Sequence, residues 1–279
     1  MRHREICRGL WFGGAVTKQE CRAIPGRDVL EFNWQFFAVG IPAILFAGIS
    51  KGGFGSGAAF VGSAILALVV PPGAALGIAL PLLMLIDAAT LKPYWGKWHW
   101  PSAKGVIIGA LPGVAIAALI YAAVDADVFR ILIGLICLVF VAFQFSRARG
   151  WLTVPTLTFS RPLARLAGIV AGFTSFISHA GGPPVAVFLL SQGFGKTTYQ
   201  ATTVISFWAI NWIKVVPYAY LGIFSWSSLM GSLVLAPFAL IGAWIGVRAH
   251  RFVPERLFFG ITYVLLVATG LRLIWLALT

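Results

Sequence analysis

The chain has 279 residues, of which 59% are hydrophobic and only 10% charged, and its formal net charge is +13. That balance excludes an ordinary soluble domain, and the absence of alternating apolar/polar strands argues against a barrel, so helices in a bilayer are expected. The 21 basic residues form no continuous patch. They point to positive-inside topology, attraction to membrane lipid, or an anionic cargo, and away from a nucleic-acid partner.

Residues 1–32 read as a polar, mixed-charge tail. Its apolar stretch is short and is broken by Arg8, Gly13 and Gly14, so it is not read as a signal peptide. Cys7 and Cys21 lie in this tail and Cys137 in an apolar segment. They form neither a disulfide framework nor a metal-ligand pattern, and no cofactor is expected.

A first membrane half spans 33–146. Its segments run over about 34–70, 73–92, 104–123 and 128–146. The loop after the second segment carries Lys92, Lys97, His99 and Lys104 among Trp95, Trp98 and Trp100, an interface anchor in which Lys92 snorkels from a helix end. A basic linker covers 147–162. The second half, 163–279, repeats the plan with segments over about 163–192, 197–220, 226–247 and 254–277.

The repeat can be read by register. A shift of 124 positions puts Gly48 on Gly172, Gly57 on Gly181, Asp87 on Asn211, Pro93 on Pro217 and Tyr94 on Tyr218. A shift of 126 puts Arg130 on Arg256 and Gly134 on Gly260. The expected fold is therefore all-α: two four-segment internal repeats, each opening with a broken or re-entrant helix pair, about eight to ten membrane segments in all. If the broken segments go in and come back, the repeats are inverted. The basic loops 92–104, 146–162 and 248–256 then share one side, as the positive-inside rule favours, although the basic tail falls on the other.

The first broken segment carries Gly48-Ile49-Ser50-Lys51-Gly52-Gly53-Phe54-Gly55-Ser56-Gly57 inside an apolar run over about 36–70. Each glycine costs a helix interior about 1 kcal/mol against Ala. A lysine at mid-bilayer costs roughly 2.5 to 3.5 kcal/mol on the insertion scale. The helix is expected to stop here, and a half-helix to restart near Gly57 with Ser56 as its N-cap. The second break is Ser178-His179-Ala180-Gly181-Gly182-Pro183-Pro184, where Pro183 marks a helix start. Two helix amino ends inside the membrane would offer free N–H groups and partial positive charge to an anion. Close helix packing through small residues is the rival explanation of the glycines.

Candidate binding residues are Ser50, Lys51, Gly52, Gly53, Gly55, Ser56 and Gly57 in the first break, and His179, Gly181, Gly182 and Pro183 in the second. Asn211 and Lys214 join them from the following helix. Lys51 and Lys214 would supply charge for the anion, and Asn211 would orient it or tie helices together. Asp87 and His179 are proton-coupling candidates, and Asp87 could instead balance Lys51. A snorkelling Lys51, or a neutral His179 satisfied by freed backbone carbonyls, are the structural counterparts. Trp208 and Trp212 read as packing or lipid-facing residues.

These breaks and the duplicated plan, over about 36–276, resemble the sulfite exporter TauE/SafE family. The glycines at 52, 53, 55 and 57, with Gly181, Gly182 and Pro183, fall on that family's motif positions. The resemblance implies a multi-pass transporter of the bacterial inner membrane for a small anion such as sulfite, sulfoacetate or a related sulfonate. No Gly-x-x-x-x-Gly-Lys-Ser/Thr motif is present, so a proton or ion gradient or the membrane potential would drive it, by alternating access. A homodimer is compatible with the sequence. The other readings are a passive anion channel, a membrane scaffold, and an intramembrane serine hydrolase built on Ser56 and His179.

Overall fold

The computed structural model describes residues 32–54, 59–152, 156–249 and 255–279. The expected tail, with its missing signal peptide, and Gly55, Ser56 and Gly57 lie outside the described residues. Among the described residues there are helices and no strands. The first half holds α1 Trp34–Ile49, α2 Val61–Leu66, α3 Pro72–Leu91, α4 Trp100–Ala123 and α5 Ala126–Ala148. The second holds α6 Arg161–Ser178, α7 Gly182–Ser191, α8 Lys196–Tyr220, α9 Trp226–Ala249 and α10 Glu255–Leu278.

Among the described residues, six stretches are long and apolar enough to cross a membrane: Trp34–Gly53, Pro72–Tyr94, Trp100–Ala123, Ala126–Ala148, Trp226–Arg248 and Phe258–Leu278. Local chemistry explains where helices begin. Asn33 Oδ1 accepts the Phe36 amide at 2.9 Å to open α1, and Asp125 Oδ1 accepts the Val128 amide at 2.9 Å to open α5. Prolines stand in the first turns of α3, α4, α6 and α7, where a missing N–H costs nothing.

Two seams of close approach hold the bundle. In one, Gly105, Gly109 and Gly113 of α4 meet α6 at Ala164, Arg165 and Ile169, while Gly168 and Gly172 of α6 meet α4 at Val106 and Ala110. In the other, Gly48 of α1 lies on Ala239 and Ala243 of α9, and Gly242 and Gly246 of α9 lie on Leu45 and Ile49. A Cβ at Gly105 would strike the Ala164 methyl and a Cβ at any of the others would strike backbone, so small residues spaced by four set the helix separation. The seams correspond under the register of the two halves: α4 on α6 in one, α9 on α1 in the other. Likewise α4 packs on α8 as α9 packs on α3, while α3 meets α8 and α5 meets α10. The main core cluster draws on both halves, from Phe60, Leu80 and Ile86 to Phe176, Tyr218 and Leu266.

The first break differs from expectation. The chain does not stop at the first glycines but widens into a π turn over Ser50–Phe54. The next helix, α2, begins only at Val61 and has six residues. Its N-cap is Phe60, which offers no side-chain cap bond. The proposed cap, Ser56, falls outside the described residues.

Candidate functional site

Each break delivers side chains to one buried polar cluster between α3 and α8. The π turn displaces Lys51 out of the regular helical ladder and carries its ammonium inward, so that the residue is only 5% exposed. Lys51 Nζ lies 2.6 Å from Asp87 Oδ1 and donates to the Leu83 carbonyl at 3.3 Å, both on α3. The second Asp87 oxygen, Oδ2, accepts from Asn211 Nδ2 at 2.8 Å. Asp87 is fully buried, so a lone carboxylate there would be expensive, and the lysine and the amide together hold it.

Lys214, also fully buried, stands one turn beyond Asn211 on α8. Its ammonium reaches three neutral acceptors: Ser175 Oγ at 3.0 Å, the Ser175 carbonyl at 3.2 Å and His179 Nδ1 at 2.9 Å. An ammonium has three N–H donors, and all three are thereby used. With Nδ1 accepting, the imidazole is the neutral tautomer with its proton on Nε2. His179 itself sits at the end of α6 with φ of 58°, the only positive-φ residue other than glycine among the described residues. A left-handed conformation costs such a residue about 1–2 kcal/mol. The turn is held by the His179 amide on the Ser175 carbonyl at 3.0 Å and by Thr174 Oγ1 donating to the Ala180 carbonyl at 3.0 Å.

Lys214 is electrostatically coupled to both Lys51 and Asp87. The cluster therefore contains two lysines and one aspartate. Lys51 is paired with Asp87, whereas Lys214 meets Ser175 and His179 and has no carboxylate within salt-bridge distance among the described residues. Among the described residues Ser50 Oγ is buried beside these groups with no hydrogen-bond partner, and the His179 ring also faces the Leu76 backbone. The arrangement suits a small anion with several acceptor oxygens.

The sequence candidates divide into those gathered here and those placed elsewhere. Ser50, Lys51, Asp87, His179, Asn211 and Lys214 are brought together. Gly52 and Gly53 instead press against the α9 backbone at Ala243 and Gly246, which accounts for their lack of a side chain. Gly181 is wedged against Ala171, Ser175 and Phe207 as the N-cap of α7. Gly182, Pro183 and Pro184 form the first turn of α7, and the prolines remove two of the N–H groups that the anticipated amide cradle needs. α2, with six residues, is too short to add a comparable end, while two lysines reach the cluster. Trp212 is exposed at 52%, as a lipid-facing ring should be, and its edge meets Trp208.

Sequence reasoning missed three members. Tyr218 lies under Lys214, its ring centroid 5.9 Å from Nζ, and donates its hydroxyl to the Phe176 carbonyl at 2.8 Å. The Pro-Tyr repeat marked its position but not its role. Ser63 of α2 donates to the Ser178 carbonyl at 3.0 Å, joining the two breaks directly. Ser175 of α6 supplies two of the three acceptors that Lys214 meets. A cavity of about 710 Å³ lies between α5, α6 and α7, lined mainly by apolar side chains, and reaches Thr174 and Ala180 beside the second break.

Residues 40–273 match the family model described as Sulfite exporter TauE/SafE. No curated protein and no solved structure matches the chain significantly.

Proposed function

The chain belongs to the sulfite exporter TauE/SafE family, whose members are multi-pass membrane transporters of sulfur anions, and on that premise we propose that it is a secondary transporter, working as an exporter, of sulfite or a small organosulfonate such as sulfoacetate. The anion binds midway across the membrane between two inverted repeats, 33–146 and 163–279. It sits against Lys214 and Lys51, with Ser50 Oγ and His179 Nε2 supplying further donors. Asn211 and Ser175 position Asp87 and Lys214. The repeats rock against each other to expose the site in turn to each side. The proton gradient or the membrane potential drives the cycle, with Asp87 and His179 as the groups able to carry the proton.

The single observation that carries this reading is the Lys214 ammonium, buried and met only by neutral acceptors. A buried charge without a counter-ion is costly. A bound anion supplies the missing partner, so occupancy is favoured by the same energy that the empty site lacks. The matched helix contacts of the two halves, and the bond between the register mates Asp87 and Asn211, support rocking of one half against the other.

Proteoliposomes loaded with protein and given labelled sulfite, sulfoacetate, choline or glucose test the proposal. Uptake of the sulfur anions alone is expected, with accumulation above equilibrium when a proton gradient or potential is imposed. Accumulation that never exceeds equilibrium makes the protein a channel, and uptake of choline in preference to sulfite overturns the anion reading.

A further inference from the structure

The apolar cavity between α5, α6 and α7 is a groove with a definite length and a definite end. Three helical stripes face it, among them Leu135, Val139 and Phe143 of α5, Leu166 and Val170 of α6, and Val187 of α7. Several are strongly exposed, Val139 by 65% and Leu166 by 56%. On α6 the lining runs from Leu163 to Thr174. At 1.5 Å per residue that is about 16 Å, close to one leaflet, half of a hydrocarbon core of about 30 Å. Its outer end is the linker, where Leu152 and Leu157 line it. Its inner end is the second break, at Ala180, Pro183 and Pro184.

The corresponding space in the first half is treated differently. There α10 packs directly on α2, whereas α5 leaves α7 uncovered. The outer mouth is basic. Arg147 and Arg149 end α5 and Arg161 begins α6, within a turn or two of the lining residues Phe143, Leu152 and Leu163. Among the described residues none of the three pairs with a carboxylate. Arg149 stacks over Phe145 at 4.8 Å, and Trp151 meets the edge of the same ring, as an interfacial aromatic does.

We propose that this groove is a binding site for an anionic phospholipid, with one acyl chain along the α5 and α6 stripes and the phosphate among Arg147, Arg149 and Arg161. The chain length that a leaflet imposes matches the groove, and the unpaired guanidiniums match the headgroup. The tip of the acyl chain then backs the turn that holds Ser175 and His179. This inference stands on the groove and its arginines and does not depend on the transported anion.

The test is native mass spectrometry of the full chain released from nanodiscs of equimolar phosphatidylglycerol and phosphatidylcholine with identical chains. At least tenfold enrichment of retained phosphatidylglycerol is expected. Arg149→Gln/Arg161→Gln should equalise the two lipids, and Val139→Trp/Val170→Trp, which fills the groove, should remove retention of both. Leu119→Trp, on another exposed helix face, should leave enrichment unchanged. Equal retention of the two lipids by the native chain overturns the proposal. So does enrichment that survives the arginine changes, which lie on the surface and spare the fold.

Discussion

The two broken helices solve one problem with exchanged parts. In the first, the break itself carries the cation, Lys51, and the following helix, α3, carries the acid, Asp87. In the second, the break carries neutral acceptors, Ser175 and His179, and the following helix, α8, carries the cation, Lys214. The backbones differ to match. A π turn brings Lys51 inward, while a left-handed histidine and two prolines make a sharp stop and restart. In the first half the cation thus meets a carboxylate, and in the second it meets neutral acceptors. The difference teaches that similar halves need not share a task equally.

The comparison can be broken most severely at Lys51. Lys51→Met strands Asp87 with only Asn211, and removing one partner of a buried pair costs about 3–5 kcal/mol. Thermal unfolding in detergent should show that loss, and Lys51→Met/Asp87→Asn should recover most of it. Equal stability of the single and double variants would mean that Asp87 is not held by Lys51. Next comes Lys214→Met. It should lower the unfolding temperature less than Lys51→Met does, because Ser175 and His179 lose a donor but no carboxylate is stranded. Sulfite uptake should nevertheless fall about a hundredfold, equivalent to about 2.7 kcal/mol. A large stability loss with normal uptake would reverse the roles given to the two halves.

A smaller effect is expected at the packed glycines. Gly53→Leu drives a side chain into the α9 backbone at Gly246 and should cost about 1–3 kcal/mol. Gly195→Ala, with no atom near its added Cβ, meets no clash and should lose only the small N-cap preference for glycine, so it serves as the steric control. The smallest effect reads the backbone of the second break. His179→Gly and His179→Ala both lose the bond to Lys214, but only glycine relieves the left-handed strain. The glycine variant should be more stable by about 1 kcal/mol, measured by chemical unfolding. No difference between them would remove strain from the account of this turn.

Much of the fold is legible in the sequence because a bilayer permits few solutions. Apolar segments bounded by charged or turn-forming residues fixed the expected spans: 73–92 became α3 Pro72–Leu91, and 226–247 became α9 Trp226–Ala249. The second break is legible because proline and paired glycine act on their own backbone. The first is less so, since a π turn depends on tertiary room for Lys51 and on the fit of Gly52 and Gly53 against α9. Polar residues in apolar runs led to Lys51, Asp87, Asn211 and Lys214, because a buried charge has few reasons to exist. How they pair is a matter of helix rotation, which periodicity leaves open. Ser63 and Tyr218 stayed hidden for the same reason: small or aromatic residues are ordinary in a membrane helix until a carbonyl is found at their tip.

One contact reaches further than its single hydrogen bond. Asp87 and Asn211 are equivalents under the spacing of the halves, and they touch. Had the protein been assembled from two separate identical chains, each residue would have met its own twin. Twin aspartates would repel, and twin asparagines would leave Lys51 without a counter-ion. Two halves of different sequence can seat unlike groups at such a contact, so divergence between them is what makes a lopsided centre of charge chemically accessible.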